Sequence, residues 1–235
     1  MLPQEPLIAR VRELCAADRR LGAALMYGSF AQGSADEHSD IEFWLFFDAD
    51  PGPPAEWIAQ VAPPLHVTLN EFGAHVAFFP GLIRGEFHFA TDAESVREWP
   101  ARGGAVAVLD RHGSLSAALD ALPERPPIES AEVICGRFAN WLLLAHHVAQ
   151  RGEGLRALDA LAHAQRHLLW MARLAEHRTE HWLTPSRAAE RELSTSFPRT
   201  HEDVRAAWRV GRALWIRLAE PPAALFAELD AALSR

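Results

Sequence analysis

Residues 40–48, DIEFWLFFD, constrain the fold more than any other stretch of the chain. An apolar run of this length reads as a strand through a core, yet it opens with two carboxylates two residues apart. Successive strand side chains point to opposite faces. Asp40 and Glu42 therefore share one face, ~7 Å apart, while Ile41 and Phe43 point the other way. Two unpaired carboxylates this close are costly in a core. Either the strand has a polar outer face solvated by arginines, or a divalent cation neutralises the pair. Carboxylates together with phosphate oxygens are what Mg²⁺ takes. All 23 basic residues are Arg, so any phosphate-binding cation has to be an arginine.

The residues just upstream favour the cation. AALMYG (23–28) reads as the preceding strand, and Ser29 opens a short helical pattern, SFAQG. Gly28 lets the backbone approach a ligand closely, and the N–H groups of a helix start form an anion site. Ser29 and Gln32 also have the spacing of an S-x-x-Q capping box, which would leave other donors of the turn free.

The rest of the first half alternates short β-prone runs with turns. LHVTLNEFGAHVAFFP (65–80) reads as a hairpin turning at Gly73, with LIRGEFHFAT (82–91) and AVAVLD (105–110) as further strands. The N-terminal MLPQEPLIARVRELCAADRR reads as an amphipathic helix. The closely spaced prolines of LPERPP (122–127) mark a linker. Beyond it, apolar residues recur at three- and four-residue steps through ESAEVICGRFANWLLLAHHVAQRG, GLRALDALAHAQRHLLWMARLAEHR, HEDVRAAWRVGRALWIRLAE and PAALFAELDAALSR. The fold class expected is α/β (α+β). A small mixed sheet with flanking helices fills residues 1–122, and a helical bundle fills 123–235.

Composition excludes several classes of function. No apolar run reaches membrane-spanning length, and the N-terminus has no uninterrupted apolar stretch of a secretion signal. Two cysteines are too few for a disulfide framework and wrongly spaced for zinc, so a reducing cytoplasm is the expected compartment. A net charge of -8 argues against a nucleic-acid polymer as partner.

A Gly-Ser turn after one strand, ten residues, then Asp-x-Glu at the head of the next resembles the nucleotidyltransferase superfamily that shares the DNA polymerase β core. The segments MYGSFAQGSADEHSDIEF and NEFGAHVAFFPGLIRGEFHF narrow the resemblance to the two-domain lincosamide nucleotidyltransferases. GRFANWLLLAHHVAQRGEGLRALDAL and WMARLAEHRTEHWL extend it, more loosely, over the helical half. The resemblance implies transfer of AMP from ATP to a hydroxyl of lincomycin or clindamycin, with release of pyrophosphate and one or two Mg²⁺ ions. It implies Asp40 and Glu42 as metal ligands, and a third carboxylate on a neighbouring strand as base. It also implies a homodimer with the acceptor pocket near the subunit interface.

Glu86 is the candidate third carboxylate, because it and His88 alternate with Phe87 and Phe89 and face away from the apolar side. Glu71, beside the hairpin turn, and Asp92, at the strand end, are the alternatives. The candidate nucleotide-binding set is Gly28, Ser29, Ser39, Asp40, Arg84, Arg151 and Arg156. Arg84 reads equally as a surface ion pair, and Arg151 and Arg156 as helix-end charges, favourable at a C-terminus. For the acceptor, Glu86, His88 and Trp141 are the candidates. Trp141, Trp170 and Trp182 read otherwise as core. His163 and His167, like His177 and His181, have the i, i+4 spacing of metal ligands, but read as solvated helix faces without a third ligand. SADEH in the spacer and the tail after Trp182 depart from the family and leave the acceptor open. An aminoglycoside enzyme suits the acidic balance, since aminoglycosides are polycations. A non-catalytic nucleotidyltransferase-like antitoxin or interaction protein is the third reading.

Overall fold

The alternating run at 40–48 becomes an interior strand of a six-stranded mixed sheet. The computed structural model describes residues 1–124, 129–175, 216 and 220–233. Two compact units divide the chain: Met1–Glu124 with His201–Arg235, and Arg125–Thr200.

In the first unit the elements run α1 (Glu5–Ala17), β1 (Leu21–Met26), α2 (Gly28–Gln32), β2 (Ile41–Phe47), α3 (Pro54–Ala59), β3 (His66–Leu69), β4 (His75–Phe79), β5 (Ile83–Ala90), β6 (Val106–Asp110) and α4 (Ser114–Asp120). Every strand expected from the alternation is present, with ends displaced by two residues at most. The sheet order is β3-β4-β5-β2-β1-β6. β2 runs parallel to β5 and antiparallel to β1, and the β3–β4 hairpin and β6 extend the two sides antiparallel.

Alternation sorts β2 into two faces with different fates. Ile41, Phe43, Leu45 and Phe47 are fully buried and join α1 and α3 through Val11, Trp57 and Ile58 in the larger core. Beneath the carboxylates, Phe43 stacks on its register partner Phe87 at 6.1 Å between ring centroids. Gly85 makes room for this, since a Cβ there would lie 2.9 Å from the Phe87 ring and 3.0 Å from Ile41.

The other face reads Glu42, Trp44, Phe46. Phe46 is buried with Val96, Leu115 and Leu119, the last two on α4, while Trp44 packs on the rim of that cluster. Glu42 lies beyond the rim. Burying an apolar side chain fully stabilises by about 1.5–3 kcal/mol, so the covered end anchors the strand.

The turn into β5 has its own brace. Helix α7 (Ala223–Leu233), which the sequence places in the helical half, groups with the first unit. Its Glu228 carboxylate accepts from the backbone N–H groups of Gly81 and Leu82 at 2.9 and 3.0 Å. Leu82 has φ 56°, an uncommon conformation for a residue with a side chain, and those two bonds hold it.

In the second unit, α5 (Ala131–Gln150) and α6 (Gly154–Ala175) pack together as a helical hairpin. The Ser130 hydroxyl caps α5 by accepting from the Val133 N–H, and Gly152, at φ 76°, turns the chain into α6. Contact runs through Ile134, Ala145, Val148, Ala160 and Ala164, small and apolar residues at helical spacing. His177, His181, Trp182 and the helical pattern of 201–220, apart from 216 and 220, fall outside the described residues.

Candidate active site

Parallel pairing of β2 with β5 sets Glu42 opposite Glu86 and Trp44 opposite His88. Continuing that register one residue below Ile41–Gly85 brings Asp40 beside Arg84. Because i and i+2 share a strand face, Asp40, Glu42, Arg84 and Glu86 form a square on one face of the sheet. It holds three carboxylates and one guanidinium. The alternatives lie elsewhere: Glu71 is exposed at the hairpin tip, and Asp92 accepts from the Glu94 N–H to cap the 3-10 turn Ala93–Glu98.

The Arg84 guanidinium donates to Asp40 Oδ2 with one nitrogen and to Glu86 Oε1 with another. Glu86 Oε2 accepts from the Tyr27 hydroxyl at 3.4 Å. The Ser29 backbone N–H faces Glu42 and favours its charged form, the weakest of the influences on that carboxyl. Burial, with help from the Asp40 and Glu86 charges and against Arg84, pushes the Glu42 carboxyl up to about 7. Burial raises Asp40 as well, outweighing its ion pair with Arg84. Burial opposes the Arg84 charge, but the two carboxylates more than offset it and hold the guanidinium firmly protonated. The Tyr27 phenol is raised by burial and then by Glu86 and Glu42, and burial lowers His88.

Gly28 has a narrower reason than ligand approach. Its φ is 73°, and a Cβ there would fall 1.5 Å from Glu42 Oε2. The turn is pressed against the Glu42 carboxylate, where only glycine fits. The S-x-x-Q capping box is not formed. Helix α2 starts at Gly28 with Tyr27 as N-cap and no side-chain cap, so Ser29 already lies inside the first turn. The Gln32 amide donates instead to the Gly103 carbonyl at 3.0 Å.

Gln4, Tyr27, Trp44 and Trp99 escaped sequence reasoning, whereas Ser39 and His88 were among its candidates. Gln4, almost fully buried, donates through one amide nitrogen to the carbonyls of Asp36 (3.4 Å), Glu37 (3.0 Å) and Ser39 (2.7 Å). It ties the start of α1 to the loop that delivers Asp40. The Ser39 hydroxyl is engaged within that loop, accepting from the Asp36 N–H at 2.9 Å and donating to Asp36 Oδ1 at 3.2 Å. His88 stacks on Trp44 at 4.2 Å and 17°, with Trp99 edge-on to Trp44 and to Tyr27. An aromatic wall therefore begins one register step from the carboxylates. Tyr27 precedes the Gly-Ser turn and is the only tyrosine in the chain, a signal that could have found it.

Trp141, Arg151 and Arg156 lie in the second unit. Trp141 stacks on His163 at 4.3 Å, Arg151 is the C-cap of α5, and Arg156 pairs with Glu153 at 3.0 Å. His167 is buried and takes the His163 carbonyl at 2.8 Å, with Trp170 edge-on at 5.0 Å. These two histidines pack within the hairpin and are not the solvated faces expected of them.

A profile of the C-terminal domain of lincosamide nucleotidyltransferase-like proteins matches residues 128–208. Over those residues the chain is similar to that family. The match bears out the resemblance to lincosamide nucleotidyltransferases read from the motifs. No curated protein matches the chain. Among solved structures it is similar to the Thermotoga maritima CCA-adding enzyme complexed with tRNA, at 11% identity and TM-score 0.31, over 95% of this chain and 64% of that one. A CCA-adding enzyme complexed with CTP aligns at 12% identity and TM-score 0.35, over 89% and 51%. An apo form aligns at 11% and 0.32, over 97% and 64%. The chain thus spans between 51% and 64% of the lengths of these structures. None of the described helices is long and apolar enough to cross a membrane.

The donor set fits a hard divalent cation in its chemistry. Three carboxylates on adjacent strands share a negative charge that Arg84 only partly matches, and oxygen donors are what Mg²⁺ prefers. As placed, no three His, Cys, Asp or Glu side chains among the described residues are arranged to hold a metal ion. Arg84 bridges Asp40 and Glu86 instead.

The raised Glu42 carboxyl has a measurable consequence for stability. An acid whose folded pKa exceeds its ordinary value supports the fold fully below that ordinary value, and less as pH rises through the folded one. For Glu42 this window runs from 4.5 to about 7. Glu42→Gln removes the charge and is expected to stabilise the metal-free protein by ~1–2 kcal/mol at pH 8, discounted for partial exposure. At pH 5 the gain should be much smaller. Urea midpoints in a chelator at the two pH values measure this, and equal gains at both would refute the assignment.

Proposed function

We propose that the chain transfers the adenylyl group of ATP to a hydroxyl of a small-molecule antibiotic, with a lincosamide such as lincomycin or clindamycin as the acceptor. The observation that carries this reading is the register of β2 on β5. It sets Glu86 opposite Glu42, beside Asp40 and the Gly28-Ser29 turn, in a chain whose residues 128–208 match the lincosamide nucleotidyltransferase-like domain.

In the step proposed, the acceptor oxygen forms a bond to the α-phosphorus while the bond to the β-phosphate oxygen breaks, and pyrophosphate leaves. The hydroxyl proton passes to Glu86, a role that requires hydrogen-bond reach to that oxygen. Tyr27 holds the far oxygen of the same carboxylate and so orients it. Asp40 and Glu42, with Glu86, are the residues that would hold one or two Mg²⁺ ions. When bound, such an ion neutralises triphosphate charge and stabilises the charge that develops in the displacement. The backbone donors at Gly28-Ser29 and the guanidinium of Arg84 are assigned to phosphate oxygens, with Ser39 in the loop beside them. The His88–Trp44–Trp99 wall is assigned to the apolar body of the acceptor. Trp141, Arg151 and Arg156 belong to the same reading as residues of the second unit. So do the homodimer, the cytoplasmic setting and the division into domains at 122/123.

The test is direct. Purified protein is incubated with MgATP and, separately, with lincomycin, clindamycin and an aminoglycoside panel, and each drug is examined by mass spectrometry. An adenylyl adduct on a lincosamide is the expected result. An adduct on an aminoglycoside alone would favour that reading, to which the net charge of -8 lends itself. No adduct from folded protein and intact ATP would leave the non-catalytic interaction protein.

A further inference from the structure

The square of side chains on β2 and β5 has a counter-cation of its own. Arg84 spends its fork on Asp40 Oδ2 and Glu86 Oε1, and does not reach Glu42 with either nitrogen. All of these groups are partly enclosed, with 36% of the Arg84, 32% of the Asp40 and 17% of the Glu86 side chain exposed. A guanidinium at this position lets three carboxylates share a half-buried face. It also uses the oxygens the proposed reaction requires, one on a cation ligand and one on the base.

We propose that Arg84 is an exchangeable internal cation, which holds Asp40 and Glu86 in the resting protein and hands them over when a divalent cation and a nucleoside triphosphate bind. This rests on the nucleotidyl-transfer reading of the site. A divalent cation binding alone has to displace the guanidinium and leave it without an anion. When the triphosphate arrives with it, Arg84 exchanges carboxylate oxygens for phosphate oxygens, which its planar fork matches equally well. Cation and nucleotide therefore bind synergistically, and by linkage each tightens the other by the same factor. A resting site closed on its own arginine also keeps the carboxylates from taking cations when no nucleotide is present.

The experiment measures binding, without turnover. Isothermal titration calorimetry follows Mn²⁺ binding to the full chain, with and without the non-cleavable analogue α,β-methylene-ATP. Wild-type protein is compared with Arg84→Met and Arg84→Lys. Wild-type protein should bind Mn²⁺ weakly alone and about tenfold or more tightly with the analogue. Arg84→Met should bind Mn²⁺ alone about tenfold more tightly than wild type, with the analogue adding little. Arg84→Lys, which keeps the charge but loses the fork, should fall between the two. Circular dichroism establishes that each variant is folded. If Arg84→Met does not fold, the Lys variant decides, with tighter Mn²⁺ binding alone as the supporting result. Unchanged Mn²⁺ affinity in the folded variants, or undiminished synergy, overturns the exchange while the site assignment stands. No Mn²⁺ binding to wild type, even with the analogue, overturns both.

Discussion

Glu86→Gln is expected to lower nucleotidyl transfer by about 10²–10⁴ while nucleotide binding changes little, the range for loss of a positioned general base. The glutamine keeps the size of the side chain, and its oxygen can still accept from Tyr27 or Arg84. What it lacks is the basic carboxylate that takes the acceptor proton. The loss should therefore appear in kcat and not in KM for the nucleotide. Calorimetric binding of the non-cleavable analogue, alongside single-turnover transfer, separates the two. A variant that turns over at the wild-type rate would remove Glu86 from the role of base. Asp92 and Glu71, neither of them beside Glu42 in the sheet, would be poor replacements, and the mechanism itself would then need revision.

Gly28→Ala should combine a loss of stability with a loss of activity. The alanine Cβ would meet Glu42 Oε2 at 1.5 Å and its Cδ at 2.4 Å, and the backbone is at φ 73°. The left-handed conformation costs a side-chain-bearing residue roughly 1–2 kcal/mol, and overpacking adds about 1–3 kcal/mol. At 2–4 °C per kcal/mol for a domain of this size, the melting temperature should fall by about 4–20 °C. Whatever protein folds will have Glu42 displaced, and a displacement near 1 Å in a reacting site costs on the order of 10²-fold in rate. Thermal melts and transfer assays on the same preparation test both parts. A variant that melts within about 2 °C of wild type and transfers normally would contradict the close approach of the turn to Glu42.

These two positions differ in how visible they were beforehand. Glu86 could be chosen over Glu71 and Asp92 because it alternates with Phe87 and Phe89, a local pattern of period two. Gly28 was visible as a turn glycine, but its partner was not, since nothing local places Glu42 against it. The capping box at Ser29 and Gln32 failed for a related reason. The spacing was right, but the helix begins one residue earlier and a distant carbonyl, that of Gly103, satisfies the glutamine. His163 and His167 were read as solvated because exposure on a helix depends on the neighbour it packs against. Here that neighbour brings Trp141.

By itself the sequence determined the strands, the shared face of Asp40 and Glu42, the Gly-Ser turn and the helical character of 131–175. All of these follow from periodicity and backbone preference within a few residues. Only the tertiary structure decided that β2 pairs in parallel with β5, so that Glu42 meets Glu86 and Arg84 reaches both Asp40 and Glu86. It likewise decided that Gln4 braces the loop before Asp40 and that the Tyr27 hydroxyl donates to Glu86. Strand pairing and long side-chain bonds join residues some thirty to sixty positions apart, where burial and geometry choose the partner and local preference carries no record of it.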